Sequence, residues 1–385
     1  MPSPYLSEEH SLLREQIRRF IREEVEPHGE DWERDGHVPR ATLRKMGELG
    51  FLGLRYPAEF GGSEMDYLGT AVLAEELGRS TFGGFAITVL VHTDMASPHL
   101  ANAGTRAQHE KYLPGVISGD LITAVGITEP NAGSDVAAIK TRAHRDGADW
   151  VLNGQKIYIT NGVMADLYFI AAKTDGSAKG SRGISTFIVE KGTPGFTVAQ
   201  ELDKMGWRSS DTAELLLEDV RLPEENLLGE KNRGFYAIMQ NFQNERLTLA
   251  AQAIGESEKA IELTVQYALD RPAFDKSLWQ QPVIRNKLSM LAAKVASARA
   301  FVYETAWRAT QGDDVVREVS MLKALCGELV NEVTYACQQY HGGFGYMRGT
   351  GIERMVRDAR VQAVGGGATE VMLEEVAKRM DGVFG

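Results

Sequence analysis

Apolar positions recur at helical spacing from Ser7 to about Ser118, alternate in strand-like fashion from about Leu121 to Pro223, and return to helical spacing after Gly234. Ser7 followed by Glu8 and Glu9 predicts a capped helix start, with Leu12, Ile17 and Ile21 opening its apolar face. Tyr56-Pro57 and Phe60-Gly61-Gly62 break this region into several helices. In the second region Trp150-Val151-Leu152 and Lys156-Ile157-Tyr158-Ile159-Thr160 flank Asn153-Gly154. Asn-Gly tolerates the positive φ angles of a type I′ turn, so a hairpin is predicted there. Further strands are predicted at Leu167–Lys173, Ile184–Glu190 and Ala213–Leu217, and three or four long helices follow Gly234. Ile284, Leu288, Leu291, Val295, Ala298 and Val302 mark one buried stripe among them. The order predicts a mainly α chain with a central β domain: a helical domain over 1–120, a β domain over 121–230 and a helical bundle over 231–385.

A length of 385 residues suits two or three domains, and 43% hydrophobic with 25% charged residues are soluble globular proportions. A net charge of −11, with no basic stripe, argues against a nucleic-acid binder. The longest apolar run, Phe85 to Val91, stops at His92, far short of the roughly 18 residues of a membrane span. Met1 to His10 has neither a signal-peptide nor a transit-peptide pattern, so a cytoplasmic location is expected. Cys326 and Cys337 share a helical stripe with Val319, Leu322, Leu329 and Val333. They would lie about 16 Å apart, too far for a disulfide, and are expected to be small core residues. No HxxxH or CxxC pair exists, so no metal is expected.

Chemistry concentrates at four places. Val125 to Asp135 is a small, Gly-containing loop after an apolar strand, able to present amides and hydroxyls to a heterocycle or phosphate. Alone, it is equally compatible with a surface turn. Tyr158-Ile159-Thr160 sets an aromatic ring beside a hydroxyl, though an ordinary strand Tyr explains it as well. The glycines of Gln339 to Gly345 permit close approach to a ligand phosphate. Val364 to Glu370 is a flexible turn before a helix beginning near Glu370.

Taken together and in order, these segments resemble the acyl-CoA dehydrogenase family of flavoenzymes over nearly the whole chain. The resemblance rests on Thr128-Glu129-Pro130 with Gly133-Ser134-Asp135, on Lys156 to Gly162, and on Glu218 to Pro223 leading to Asn226-Leu227-Leu228-Gly229. It continues through Arg271-Pro272-Ala273-Phe274, His341-Gly342-Gly343 and Arg357-Asp358-Ala359-Arg360. It implies an N-terminal helical domain, a middle β-barrel-like domain and a C-terminal four-helix bundle. FAD would lie between the last two and extend toward a neighbouring subunit in a homotetramer built as a dimer of dimers.

By the same resemblance, Val125, Ile127 and Thr128 contact the isoalloxazine, Tyr158 stacks beside it, and Ile159 and Thr160 complete that wall. Ser134 serves cofactor or CoA phosphate. Arg271, Phe274, Gln339 and Gly343 hold a partner subunit's FAD adenylate, and Thr369 and Glu370 close over the nucleotide. Tyr236, Arg246, Gly366 and Gly367 join Ser134 in contacting substrate. Pro282 and Ala368 depart from the family's usual Gln and Thr.

The reaction implied is α,β-dehydrogenation of an acyl-CoA: a base takes the α proton while hydride leaves the β carbon for flavin N5, and preorganised donors steady the thioester oxygen. Most relatives carry the base as a Glu where this chain has Gly366. A minority, including long-chain and isovaleryl-CoA dehydrogenases, carry it on a helix within a Glu-Arg-Leu pattern, here Glu245-Arg246-Leu247. Glu245 is therefore the candidate base, expected to be buried with a raised pKa. An electron-transferring flavoprotein is the expected acceptor. A same-fold oxidase or monooxygenase and a non-catalytic acyl-CoA-binding subunit are the alternatives.

Overall fold

The computed structural model describes residues 4–178 and 180–380; the outermost ends of the first and third expected domains lie outside these. Ser7 caps α1 (Glu8–Phe20) through a capping box with His10, whose ring reaches Asp66 at 2.9 Å. The buried face of α1 is His10, Ile17 and Phe20, with Ile21 following. Leu12, expected on that face, is 54% exposed, because five residues of helix carry it about 140° away from Ile17. The helices α2 (Gly29–Asp35) and α3 (Arg40–Glu48) follow. Asp66 then caps α4 (Tyr67–Gly78), almost wholly buried, and α5 (Gly83–Leu90) continues through a wide-turned stretch, Val91–Ala96, into α6 (Ser97–Ala103). A Thr105/Gln108 capping box starts α7 (Arg106–Ser118), and the same Gln108 side chain donates to the carbonyls of Glu225 and Leu227.

The middle region holds β1 (Thr123–Gly126), β2 (Arg142–Asp146), β3 (Asp149–Thr160), β4 (Leu167–Lys173), β5 (Ile184–Glu190), β6 (Phe196–Glu201), β7 (Thr212–Leu222) and β8 (Leu227–Leu228). They form one eight-stranded sheet of order β6-β7-β3-β2-β4-β5-β8, with β1 parallel to β4. The predicted hairpin at Asn153-Gly154 is corrected: β3 runs through that pair, and the turn from β2 lies at Gly147-Ala148. The Asn153 side chain instead donates to Asp219 Oδ1 and accepts from the Asp219 backbone amide. Gly154 marks a bulge, where a Cβ would stand 2.3 Å from Thr141 Oγ1.

The third region begins with α8 (Gly234–Asp270), followed by a small ladder of β9 (Pro272–Ala273) and β10 (Lys276–Ser277). Then come α9 (Pro282–Thr310), α10 (Val316–His341), α11 (Gly351–Ala359) and α12 (Thr369–Ala377). The predicted α9 stripe from Ile284 to Val302 is buried at all six positions, and both cysteines are free and buried. Each such Leu or Ile contributes about 1.5 to 3 kcal/mol.

The two helical regions share one apolar core. Glycines let α4 and α8 touch backbone to backbone: a Cβ on Gly255 would lie 1.9 Å from the Glu75 carbonyl oxygen, and one on Gly78 2.2 Å from that of Gln252. Around this crossing Glu75 accepts from Tyr303 and Arg299, and Glu76 from Arg18. The middle of α8 is thereby packed directly on α4, whose acidic pair also ties in α9 and α1.

Candidate active site

The position of Gly366 organises the site. Its φ is +63° and that of Gly367 is +105°, left-handed conformations that glycine adopts without a Cβ penalty. A Cβ on Gly366 would lie 2.3 Å from Leu249 Cδ1, 3.1 Å from Glu245 Oε1 and 3.8 Å from Lys323 Cε. The helical glutamate therefore brings its carboxylate to the spot from which a side chain at 366 would start. Glu245 is half-buried, and among the described residues no hydrogen bond or ion pair engages its carboxylate. Burial pushes its pKa up to about 7, against the charges of Arg246 and Lys323. Arg246, also buried, donates to Ser320 Oγ at 3.4 Å, and its guanidinium lies 5.9 Å from the Phe242 ring centre.

One to three turns before Glu245, Phe235, Ile238, Met239 and Phe242 share an apolar cluster with Val125 of β1 and with Ile127 and Val136 of the loop after it. That loop is fixed from behind. Lys156, fully buried on β3, donates to Glu129 Oε1 at 2.7 Å and to the Ile127 carbonyl at 3.1 Å. Glu129 also accepts from the amides of Lys140 and Thr141. Burial drives the Glu129 carboxyl up, but Lys156 and these donors more than reverse it; burial holds the Lys156 ammonium down to about 8.

Tyr158 sits where the β3–β7 register slips between Lys156 and Ile159. Its φ is +61° and its side chain is 69% exposed, so the bulge turns an aromatic ring outward. Ile157 N–H donates to the Thr128 carbonyl, bringing the loop and the strand end together. Thr128 and Thr160 are half-buried, Ile159 is buried, and Ser134 is exposed at the loop's rim. An outward ring beside two hydroxyls and a braced loop fits a flat heterocycle.

Arg271 and Phe274 follow the end of α8, and Gln339 and Gly343 flank the end of α10. Tyr267 stacks on His341 and Phe344 and donates to the His341 carbonyl, drawing the end of α8 onto the glycine turn after α10. All four are exposed, Phe274 at 89% with φ +54°. The 26 residues from Glu245 to Arg271 span about 39 Å of helix, more than an extended dinucleotide reaches. Beside this group a cleft of about 610 Å³ is lined by Lys287, Tyr335, Gln339, Tyr340 and Arg360, among others. Thr369 starts α12 and donates to Glu328, while Glu370 is exposed one residue on. Tyr236 is half exposed, with Arg233 over its ring at 4.6 Å, near a cleft of about 320 Å³ lined by Leu228, Gly229, Arg233 and Gly234.

Two lysines, Lys156 and Lys323, are buried beside the site residues, and sequence alone assigned neither a role there. Lys323 carried a signal: it interrupts the apolar stripe between Val319 and Cys326, where a lysine is buried only with acceptors to hold it. No cluster of three or more His, Cys, Asp or Glu is arranged to hold a metal among the described residues, and no helix there is long and apolar enough to cross a membrane.

The fold thus holds a braced loop beside an outward aromatic ring, and a Glu245 carboxylate with no partner among the described residues. Three family models match: the acyl-CoA dehydrogenase N-terminal domain over residues 7–120, the middle domain over 124–220 and the C-terminal domain over 232–381. The chain is 42% identical over 381 residues to the mitochondrial long-chain specific acyl-CoA dehydrogenase of Mus musculus, covering 97% of this chain and 87% of that protein. It is 36% identical to the mitochondrial isovaleryl-CoA dehydrogenase of Pongo abelii, over 95% of this chain and 87% of that one. A crystal structure of acyl-CoA dehydrogenase from Geobacillus kaustophilus superposes with a TM-score of 0.95 at 40% identity, covering 99% of this chain and 100% of that one. The chain belongs to the acyl-CoA dehydrogenase family, whose members are FAD flavoproteins.

Proposed function

We propose that the protein dehydrogenates an acyl-CoA thioester to the trans-2-enoyl-CoA, with Glu245 as the α-proton base and an electron-transferring flavoprotein as acceptor. The observation that carries this reading is the Glu245 carboxylate, without an ion-pair partner and 3.1 Å from the Cβ position of the glycine turn. Bound FAD supplies the hydride acceptor. Thr128, Tyr158, Ile159 and Thr160, with Val125 and Ile127, form its shelf. Glu245 takes the proton from the α carbon, and the Gly366 amide, which donates to nothing else in the described chain, is free to bond the thioester oxygen. Ser134, Tyr236, Arg246 and Gly367 line the path of the substrate. Anaerobic titration of the purified protein with straight, branched and terpenoid acyl-CoAs, following flavin bleaching, tests the reading and ranks substrates. No bleaching with any of them would defeat it, and rapid reoxidation by oxygen would favour an oxidase.

The base must be unprotonated to act, so single-turnover flavin reduction is expected to rise with pH through about 7, the value burial imposes on Glu245. A midpoint near 4.5 would show a solvated carboxylate at work instead.

The distance of Arg271 from Glu245 supports a homotetramer in which Arg271, Phe274, Gln339 and Gly343 hold the neighbour's adenylate. Exposed apolar side chains at Phe274, Tyr335, Phe344 and Tyr346 supply contact surface. Arg271→Ala is expected to weaken FAD retention about tenfold or more, as loss of a charge-assisted contact does, while the flavin that remains is reduced at the parent rate. Equilibrium dialysis of FAD alongside stopped-flow reduction measures both.

A further inference from the structure

Three consecutive glycines from Gly365 to Gly367 have the widest conformational freedom a chain possesses, yet a turn that presents an amide to a substrate has to be rigid. Within the turn, Val364 and Gly365 donate to the Val361 carbonyl, and nothing in the described backbone tethers Gly366 or Gly367 further. Lys323 supplies the tether. It leaves the buried face of α10 at 2% exposure, and its Nζ donates to the carbonyl oxygens of Gln362 at 2.6 Å and Gly367 at 2.7 Å, one on each side of the turn. Its Cε lies 3.8 Å from the Cβ position of Gly366, the point that Glu245 Oε1 approaches to 3.1 Å.

We infer that Lys323 is a positioning residue for proton abstraction: it locks the triglycine turn so that the Gly366 amide meets the thioester oxygen, and sets a positive charge behind that oxygen and beside Glu245. The inference deepens the reading of Glu245 as base and rests on it. The lock explains why the turn needs no side chain of its own. The charge is felt by the base, since Lys323 and Arg246 both pull the Glu245 carboxyl down against its burial, while burial lowers Lys323 to about 8. Glu328 faces Lys323, and Glu375 and Arg379 face Arg246, so these are the remaining charges around the pair.

The test uses a 3-oxoacyl-CoA, whose acidic α proton can pass to Glu245 without any redox step. The C–H electron pair moves into the Cα–C bond, negative charge settles on the thioester oxygen, and the bound enolate absorbs at long wavelength against oxidised flavin. Its absorbance and affinity are titrated against pH in the FAD-loaded parent, Lys323→Gln and Lys323→Met. Gln retains two N–H donors but no charge. That variant is expected to bind the analogue within about threefold of the parent, with the midpoint of enolate formation raised by about one pH unit, because a cation no longer favours the carboxylate. Met retains neither, and is expected to lose the absorbance and at least about tenfold in affinity. An unmoved midpoint in Lys323→Gln would overturn the inference, as would loss of FAD from that variant, which would make the lysine a purely structural support. Absence of the absorbance in the parent itself would count against Glu245 as the base rather than against Lys323.

Discussion

Glu245→Gln is expected to keep FAD, bind acyl-CoA with near-parent affinity, and slow single-turnover flavin reduction by about 10² to 10⁴-fold. Gln preserves the shape of the side chain but cannot accept a proton at neutral pH. Other carboxylates among the described residues, near the turn and on the sheet, are engaged or exposed: Glu328 accepts from Thr369, Glu370 is exposed one residue into α12, and Glu214 accepts from Gln155. Reduction within about tenfold of the parent rate would remove Glu245 from the role. Adding Gly366→Glu to this variant is not expected to restore the rate. The new Cβ would meet Leu249 Cδ1 at 2.3 Å in a backbone with φ +63°, a conformation costing about 1 to 3 kcal/mol for a residue with a side chain. Leu249→Ala in the same chain makes room, and only that triple variant is expected to recover measurable reduction.

The largest loss of stability is expected from Lys156→Met. It strands the Glu129 carboxylate, 4% exposed, with two backbone donors and no countercharge. Removing one partner of a buried ion pair costs about 3 to 5 kcal/mol, more than the pair contributes over an apolar replacement of both. The Ile127 carbonyl loses its donor in the same change, so the loop beside the flavin shelf loosens and FAD release, read by its fluorescence during heating, is expected to move to lower temperature. Lys156→Met combined with Glu129→Leu is expected to recover part of the melting temperature. A double variant no more stable than the single would show that the loop depends on the ion pair itself rather than on avoiding a stranded charge.

The residues themselves determined whatever repeats over short distances. The Ser7 cap, the α9 stripe and the limits of β4 and β5 follow from spacing and composition, because a helix or strand face is set by neighbours three or two residues away. The family was legible in motifs read in order, and Gly366 with Glu245-Arg246-Leu247 made Glu245 the candidate base before any contact was known. The same local reasoning misplaced a turn at Asn153-Gly154. Those residues suit a hairpin by themselves, but pairing with β7 and the approach of Thr141 hold them inside a strand. Only the tertiary structure placed Glu245 against Gly366 across 121 positions of chain, put Lys156 under the Ile127 loop, and set Lys323 behind the triglycine turn. A buried charge is tolerable only where folding delivers its acceptors or its countercharge, and those partners come from other elements, so no local pattern can specify them.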